Sequence, residues 1–417
     1  GFFPSGAIGW VLSEEQFFKN FVPRMNKFKI RYSDGLVGSD YATSRWLYIS
    51  DYYKDPVGFI HEDLGANRTA QWEEARKKDL GFEFGIFKNT FTLSVDLFDE
   101  QRDKMLLSPR SVTFVVGNSF KDLNTGKLKK HGIEVEAEFN KTTANNFNYF
   151  VKGILGLNEN RIIFKDDLPY TPEFAKEAGK PLEAQINGVL LTGSGYFSSI
   201  NDIHNNPAPI NIEKLNVGDY KYLDYLADGK ITESDKYAIN GTTYPPVTYS
   251  FSSGFSYKGF EFSFMFQGNY GKYVEFNQIY ETEFMSGVLS VHASQLDYWK
   301  PDNPDATHST LHYNLGGIID NIFWAGGEAT YGYKIRIKDH FWRDASYLRL
   351  KDVYAGYTFN SAFLKGTLGI SNLLVYMTGN NLWTLTKLIE GDPERKDFTL
   401  GFYPMMASFK FGLRFGF

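Results

Sequence analysis

Apolar and polar residues alternate with period two over much of this 417-residue chain. The last stretch, SFKFGLRFGF, does so most strictly. Phe409, Phe411, Leu413, Phe415 and Phe417 alternate with Ser408, Lys410, Gly412, Arg414 and Gly416. Side chains on a strand point to opposite faces in turn, so one face here is apolar and aromatic and the other small or cationic. Similar stretches predict about eleven strands in all. The first is a remnant over 7–12, and the second covers 27–37. A hairpin follows, in which Leu80, Phe82, Phe84 and Ile86 turn at Lys88-Asn89 into Phe91, Leu93, Val95 and Leu97. The fifth strand sets Ile133, Val135, Ala137 and Phe139 against Glu134, Glu136 and Glu138, and the sixth starts at Asn146. A second hairpin turns at Lys258-Gly259 between Val247–Tyr257 and a run containing Phe260, Phe262, Phe264 and Phe266. The ninth strand, from Tyr347, slips phase between Leu350 and Val353, which predicts a bulge. The tenth covers 368–384. Ser13, followed by Glu15 and Gln16, predicts a capped short helix between the first two strands.

The connections alternate in length. Short ones follow Phe87, Asn140, Tyr257 and Phe359, and long ones start near Gly38, Ser108, Asp166, Glu275 and Leu385. Transmembrane barrels have short periplasmic turns and long extracellular loops, with apolar residues toward lipid and polar residues toward the lumen. The fold class is therefore all-β, a transmembrane antiparallel β-barrel, with Phe417 ending on the periplasmic side. Single-chain barrels have even strand numbers, so about eleven strands opening on a remnant predict part of a larger barrel. The opening GFFPSGAIGW shows no initiator Met and no signal peptide. The expectation is a mature chain, a fragment, or the C-terminal part of a longer one.

Composition supports this reading. The chain is 42% hydrophobic and 17% aromatic, with 38 Phe and 27 Tyr, yet its mean hydropathy is −0.34. No apolar run is long enough for a transmembrane helix, whereas barrel strands need only half their residues apolar. A net charge of −5 gives no footprint for nucleic acid. The absence of Cys excludes a disulfide scaffold and a thiol nucleophile.

Several motifs, taken in order, resemble the SusC/RagA family of TonB-dependent outer-membrane transporters of Bacteroidetes. FFPSGAIGWVLSEEQF, Lys29-Ile30-Arg31, and Trp72-Glu73 followed by DLGFEFGIFKNTFTLSVDLFDEQRDKML come first. YWKPDNPDAT from Tyr298, DASYLRLKDVYAGYTF from Asp344, Asn380-Asn381-Leu382 and Gly391-Asp392-Pro393-Glu394 follow. The resemblance implies a 22-stranded barrel of which residues 1–417 are the C-terminal portion, with the plug and the first barrel half outside this sequence. It also implies energy from TonB, a SusD-like surface lipoprotein as a lid, and oligosaccharides or peptides as substrates.

Asp224 to Asp235, DYLADGKITESD, resembles an EF-hand loop. Asp224, Asp228 and Asp235 fall at ligand positions one, five and twelve, and Lys230 offers its carbonyl at seven. Gly229 falls at the sharp turn and Ile231 at the apolar anchor. Leu226 removes the third-position ligand, and Asp235 reaches less far than the usual Glu. The loop is a candidate Ca²⁺ site expected to be weak or empty; the alternative is an acidic loop that keeps the motif's shape without the ion. Glu134, Glu136 and Glu138 either select substrate or form plain wetted lumen wall. Trp299, Trp342 and Trp383 either stack on sugar rings or belong to an interfacial aromatic girdle.

No H-E-x-x-H, G-x-S-x-G or P-loop motif occurs, and the chain is read as no enzyme. The expected function is outer-membrane nutrient import. The rival is a barrel recruited as a scaffold subunit of a larger outer-membrane complex. A secreted carbohydrate-binding or degrading β-protein is a third class, disfavoured because such runs of outward Phe would aggregate in water.

Overall fold

The computed structural model describes all residues except 42–44, 174–175, 183–194, 208–214, 233–234, 236–240, 277–292, 312–341, 360–365, 367–368, 389–390, 396, 399–404 and 417. Among the described residues there are seventeen strands, numbered in chain order, and eleven of them form one sheet. These are β1 (Ser5–Val11), β2 (Met25–Ser39), β5 (Glu73–Ile86), β6 (Phe91–Leu107), β8 (Leu123–Thr142) and β9 (Asn148–Phe164). They continue with β10 (Val247–Tyr257), β11 (Phe260–Tyr270), β14 (Tyr347–Phe359), β15 (Asn372–Thr386) and β17 (Ser408–Gly416). Each strand pairs antiparallel with the next in that order, so the wall is a continuous meander with β1 and β17 at its edges. Phe417 and the start of the expected tenth strand at Leu368 lie outside the described residues.

Register keeps the apolar sets on one face across the whole wall. Phe28 lies opposite Phe84, which lies opposite Leu93 and then Ala137. Phe251 lies opposite Phe266, and Phe266 opposite Leu350. A one-residue slip would turn an entire strand's apolar set to the other face, so this face fixes the pairing. It is open rather than packed: Phe409, Phe411 and Leu413 are 62%, 79% and 61% exposed. A continuous apolar surface of this size requires a non-aqueous partner, and bilayer hydrocarbon is the one a meander of this length fits. No helix among the described residues is long and apolar enough to cross a membrane, which says nothing against crossing by strands.

The bulge expected in the ninth strand is present: Lys351 is the extra residue between Leu350 and Asp352 against β11, whereas on the β15 side it stands opposite two residues, Asn381 and Leu382. It leaves Lys351 and Asp352 on the polar face together. The tight turns 87–90, 143–147 and 258–259 all lie at one end of the wall, and Phe87, Lys88, Asn89, Asn146 and Lys258 take positive φ there. The strand ends that flank the long connections 40–72, 165–246 and 271–346 lie at the other end, which defines the extracellular side. Small sheets cap that side. β3 (Asp51–Lys54) and β4 (Ile60–Gly65) join β7 (Ser119–Phe120), and β12 (Tyr273–Phe276) lies between β13 (Trp342–Asp344) and β16 (Asp397–Phe398). Lys121, almost fully buried, ties the first of these sheets down by donating to the Trp46 carbonyl at 2.9 Å and to Asp51 at 2.7 Å.

The helix expected from Ser13 starts later. A 3-10 turn spans Leu12–Glu14, and α1 spans Gln16–Phe21 with Glu15 at its N-cap and no side-chain cap bond. Ser13 is buried instead of capping.

Candidate functional site

The polar face of the wall carries two charge networks. The first lies mid-wall on β2, β5 and β6. Arg31 bonds Asp79 at 2.8 Å and also Asp96, and its Nε lies 3.7 Å from Glu83. Lys27 reaches Glu83 at 2.6 Å and Lys29 at 3.4 Å. Arg31, Gly81 and Asp96 are in register across three strands, so Arg31 must pass over Gly81 to reach Asp96. A Cβ on Gly81 would lie 2.5 Å from both Arg31 Nε and Asp96 Oδ1. The glycine is therefore the gap that lets the guanidinium span two strands. Further along, Glu136 bonds Lys152 at 2.6 Å, so the three glutamates expected on one face are part of a mixed-charge wall.

The second network sits at the extracellular mouth and joins two motifs 43 residues apart in sequence. Arg349, at the start of β14, is 2% exposed. Its Nη2 donates to Asp392 at 2.7 Å and its Nε to Thr384 Oγ1 at 2.9 Å. Its Nη1 lies 2.9 Å from Glu394 as an ion pair without hydrogen-bond alignment. Lys351, placed by the bulge, holds both Glu394 oxygens at 2.9 and 3.0 Å. Asp392 also accepts from the Glu394 amide at 2.8 Å. From the β11–β12 connection, buried Lys272 donates to the Pro393 and Arg395 carbonyls at 2.7 and 2.5 Å. Burial pushes the Lys272 ammonium below the usual lysine value, against the opposing pull of Asp392 and Glu394. Two cations from β14 and one from a loop thus clamp the Gly391–Glu394 turn into the mouth. The sequence displayed both motifs but not their meeting, and nothing in it marked Lys272.

The acidic loop keeps the shape of its motif. Asp224 accepts from the amides of Asp228 at 3.2 Å and Gly229 at 2.7 Å, and Asp228 accepts from Lys230 at 2.9 Å. Asp235, 1% exposed, accepts from the amides of Leu226 at 3.0 Å and Thr232 at 2.8 Å. Gly229 takes φ +84 at the turn, and Ile231 is buried as the anchor. The three carboxylates face backbone amides rather than one shared point. Among the described residues, no group of three His, Asp or Glu is arranged to hold a metal ion.

Of the three tryptophans, Trp383 is 48% exposed on β15 opposite Leu350, on the apolar face near the mouth. Trp299 packs against Gly218 within a loop where Asp297 holds Asn303 and Thr307. The Trp342 side chain lies outside the described set. A cavity of about 490 Å³ opens at the extracellular end of β8 and β9, lined among others by Arg102, Lys130, Asn158, Asn160 and Tyr244.

A meander of this kind, polar inside and apolar outside, with short turns at one end and capped loops at the other, is part of an outer-membrane barrel. Residues 1–182 match the family model described as TonB dependent receptor-like, beta-barrel. The chain is 26% identical over 409 residues to TonB-dependent receptor P26 of Formosa agariphila, covering 95% of this chain and 39% of that protein. It is 24% identical over 432 residues to TonB-dependent receptor SusC of Bacteroides thetaiotaomicron, covering 99% and 40%. Its fold matches a chain of the RagAB peptide importer in the "open-open" state with a TM-score of 0.68 at 19% identity, over 100% of this chain and 42% of that one. Over nearly its whole length the chain is thus similar to TonB-dependent receptor barrels of the outer membrane, SusC among them. It spans about two fifths of the length of the relatives it matches.

Proposed function

We propose that the protein containing this chain is a TonB-dependent importer that takes up oligosaccharides or peptides beneath a SusD-like lipoprotein lid. The observation that carries this reading is the clamped mouth: a charged, hydrogen-bonded turn is folded onto the extracellular end of a polar-lined wall. The relatives' descriptions as receptor SusC and as a peptide importer support it. The cavity beside Arg102, Lys130 and Tyr244 offers polar groups and an aromatic ring together, as ligand sites do. The acidic loop at Asp224, Asp228, Lys230 and Asp235 acts as a self-bonded turn, with no Ca²⁺ needed for its shape.

The test is deletion of the whole gene, followed by uptake of labelled oligosaccharides and peptides with and without TonB. The expected result is loss of uptake of one substrate class, restored by the intact gene only when TonB is present. Normal uptake of every substrate, with loss of an assembled surface complex instead, would replace this reading with the scaffold role.

A further inference from the structure

The connection between β1 and β2 differs from three other turns at its end of the wall. Those at 87–90, 143–147 and 258–259 are bare reversals, whereas residues 12–24 carry a 3-10 turn and α1. Joining two neighbouring strands does not require a helix, so α1 needs another reason.

Its side chains supply one. At 100° per residue, Phe17, Phe18 and Phe21 form a single apolar stripe, with Gln16 and Lys19 on the opposite side. Phe18 packs on Phe28 with ring centroids 5.5 Å apart, and Phe28 stacks on Phe84 at 4.8 Å. Phe17 lies 6.4 Å from Trp10. Trp10 and Phe28 are both on the apolar outer face, because Trp10 is opposite Ile30, and Ile30 and Phe28 share a side with Phe82 and Phe84. The helix therefore folds outward, over the lipid-facing side of β1 and β2, and not into the lumen. It sits over the paired faces of these strands, so a strand added at the free edge of β1 would not cover it. Phe21 is 86% exposed, Phe17 60% and Trp10 50%. The indole of Trp10 donates to Glu15 at 3.0 Å, and Lys19 pairs with Glu14 at 2.9 Å, which fixes the polar side away from the stripe. Exposed Arg24 follows just beyond the helix.

We propose that α1 is an interfacial helix embedded in the periplasmic leaflet, with Phe17 and Phe21 below the headgroups and Lys19 and Arg24 among the lipid phosphates. The stripe continues the aromatic row of Phe28 and Phe84 on the outer face, and a Phe face flanked by Lys19 and Arg24 is the chemistry of helices lying in a membrane interface.

The test uses the full-length protein in nanodiscs. This chain contains no Cys, so Phe21→Cys and Lys19→Cys can each carry an environment-sensitive fluorophore once any cysteines elsewhere in the polypeptide are replaced. Emission is then quenched by headgroup-proximal doxyl phospholipid or by aqueous iodide. The expected result is that the residue-21 label loses most of its emission to the doxyl lipid and little to iodide, with the residue-19 label reversed. If iodide quenches both equally, the helix stands in water. If neither quencher reaches residue 21, protein covers it. Either result overturns the proposal. Phe17→Cys repeats the measurement if Phe21→Cys does not give a heat-modifiable, folded barrel.

Discussion

Replacing Arg349 with Met should release the turn at Gly391–Glu394 from the mouth. The substitution removes a guanidinium that is 3% exposed and leaves Asp392, 9% exposed, without its cation. Breaking a buried pair from one side costs about 3–5 kcal/mol, mostly because the remaining charge stays desolvated. The lower end applies, because Lys351 still holds Glu394 and Lys272 still holds the Pro393 and Arg395 carbonyls. About 3 kcal/mol is a change on the order of 100-fold in the opening equilibrium, at 1.4 kcal/mol per tenfold. Hydrogen exchange of the Glu394 and Arg395 amides in the full-length protein reads this directly, since both bond to Asp392 in the clamped state. Exchange should accelerate by about that factor. Adding Asp392→Leu to Arg349→Met should restore much of the protection of the Arg395 amide, which bonds the Asp392 backbone carbonyl, because the stranded charge is then gone, while the Glu394 amide, having lost its side-chain acceptor, should stay fast. Lys387→Ala, at an exposed pair with Asp344, should leave these amides unchanged. If Arg349→Met exchanges like the wild type, the ion cluster is not what holds the turn.

Phe411→Arg, on the outer face of β17, should cost about 2–4 kcal/mol in liposome refolding titrations if it lies near the bilayer midplane, whereas Lys410→Gln on the inner face should be nearly silent; equal costs would contradict the facing. Asp235→Ala leaves the buried amides of Leu226 and Thr232 without their acceptor, so it should destabilise the acidic loop by about 1–3 kcal/mol in a chelator-treated sample, and Ca²⁺ should not raise the melting temperature of the wild type. The Asn303 amide, followed by Thr307, holds the Asp297 carboxyl below the usual carboxylate range. That contribution is complete above the ordinary aspartate value and lost as pH falls through the depressed one, so protection of the Thr307 amide should fade only in acid, below about pH 4. Gly81→Val should push Arg31 off Asp96, which a double-mutant cycle with Asp96→Asn would show as lost coupling in detergent melts.

The parts of the fold legible in the sequence are those where lipid meets one face and water the other. Val247–Tyr257 and Tyr347–Phe359 are read to the residue, bulge included, because each apolar set must stay on one side. Legibility fails where the wall rises above the membrane. β5 begins at Glu73 and β6 runs to Leu107, well past their alternating cores. There both faces meet water, and pairs such as Lys77 and Lys78 carry no period. The capping sheets are equally hidden, since β4 and β7 join through two residue pairs across a long stretch of chain. The mouth cluster shows a further limit. A run such as YLRLKD and a turn such as GDPE can each be recognised, yet only three-dimensional placement shows that Arg349 and Lys351 face Asp392 and Glu394. Ser13 shows the reverse error, a good local cap pattern overridden when the chain buried that side chain under the wall.

The structure of the natural polypeptide, purified from outer membranes and held in nanodiscs, decides whether this sheet is part of a closed barrel. Among the described residues, the sheet ends on one side at β1 and on the other at β17. The expected result is that further strands pair with both edges and close the barrel, with Phe409, Phe411 and Leu413 against lipid and Arg31 and Arg349 inside. Edges left unpaired, or a Phe face packed against a second sheet in a water-soluble particle, would contradict it.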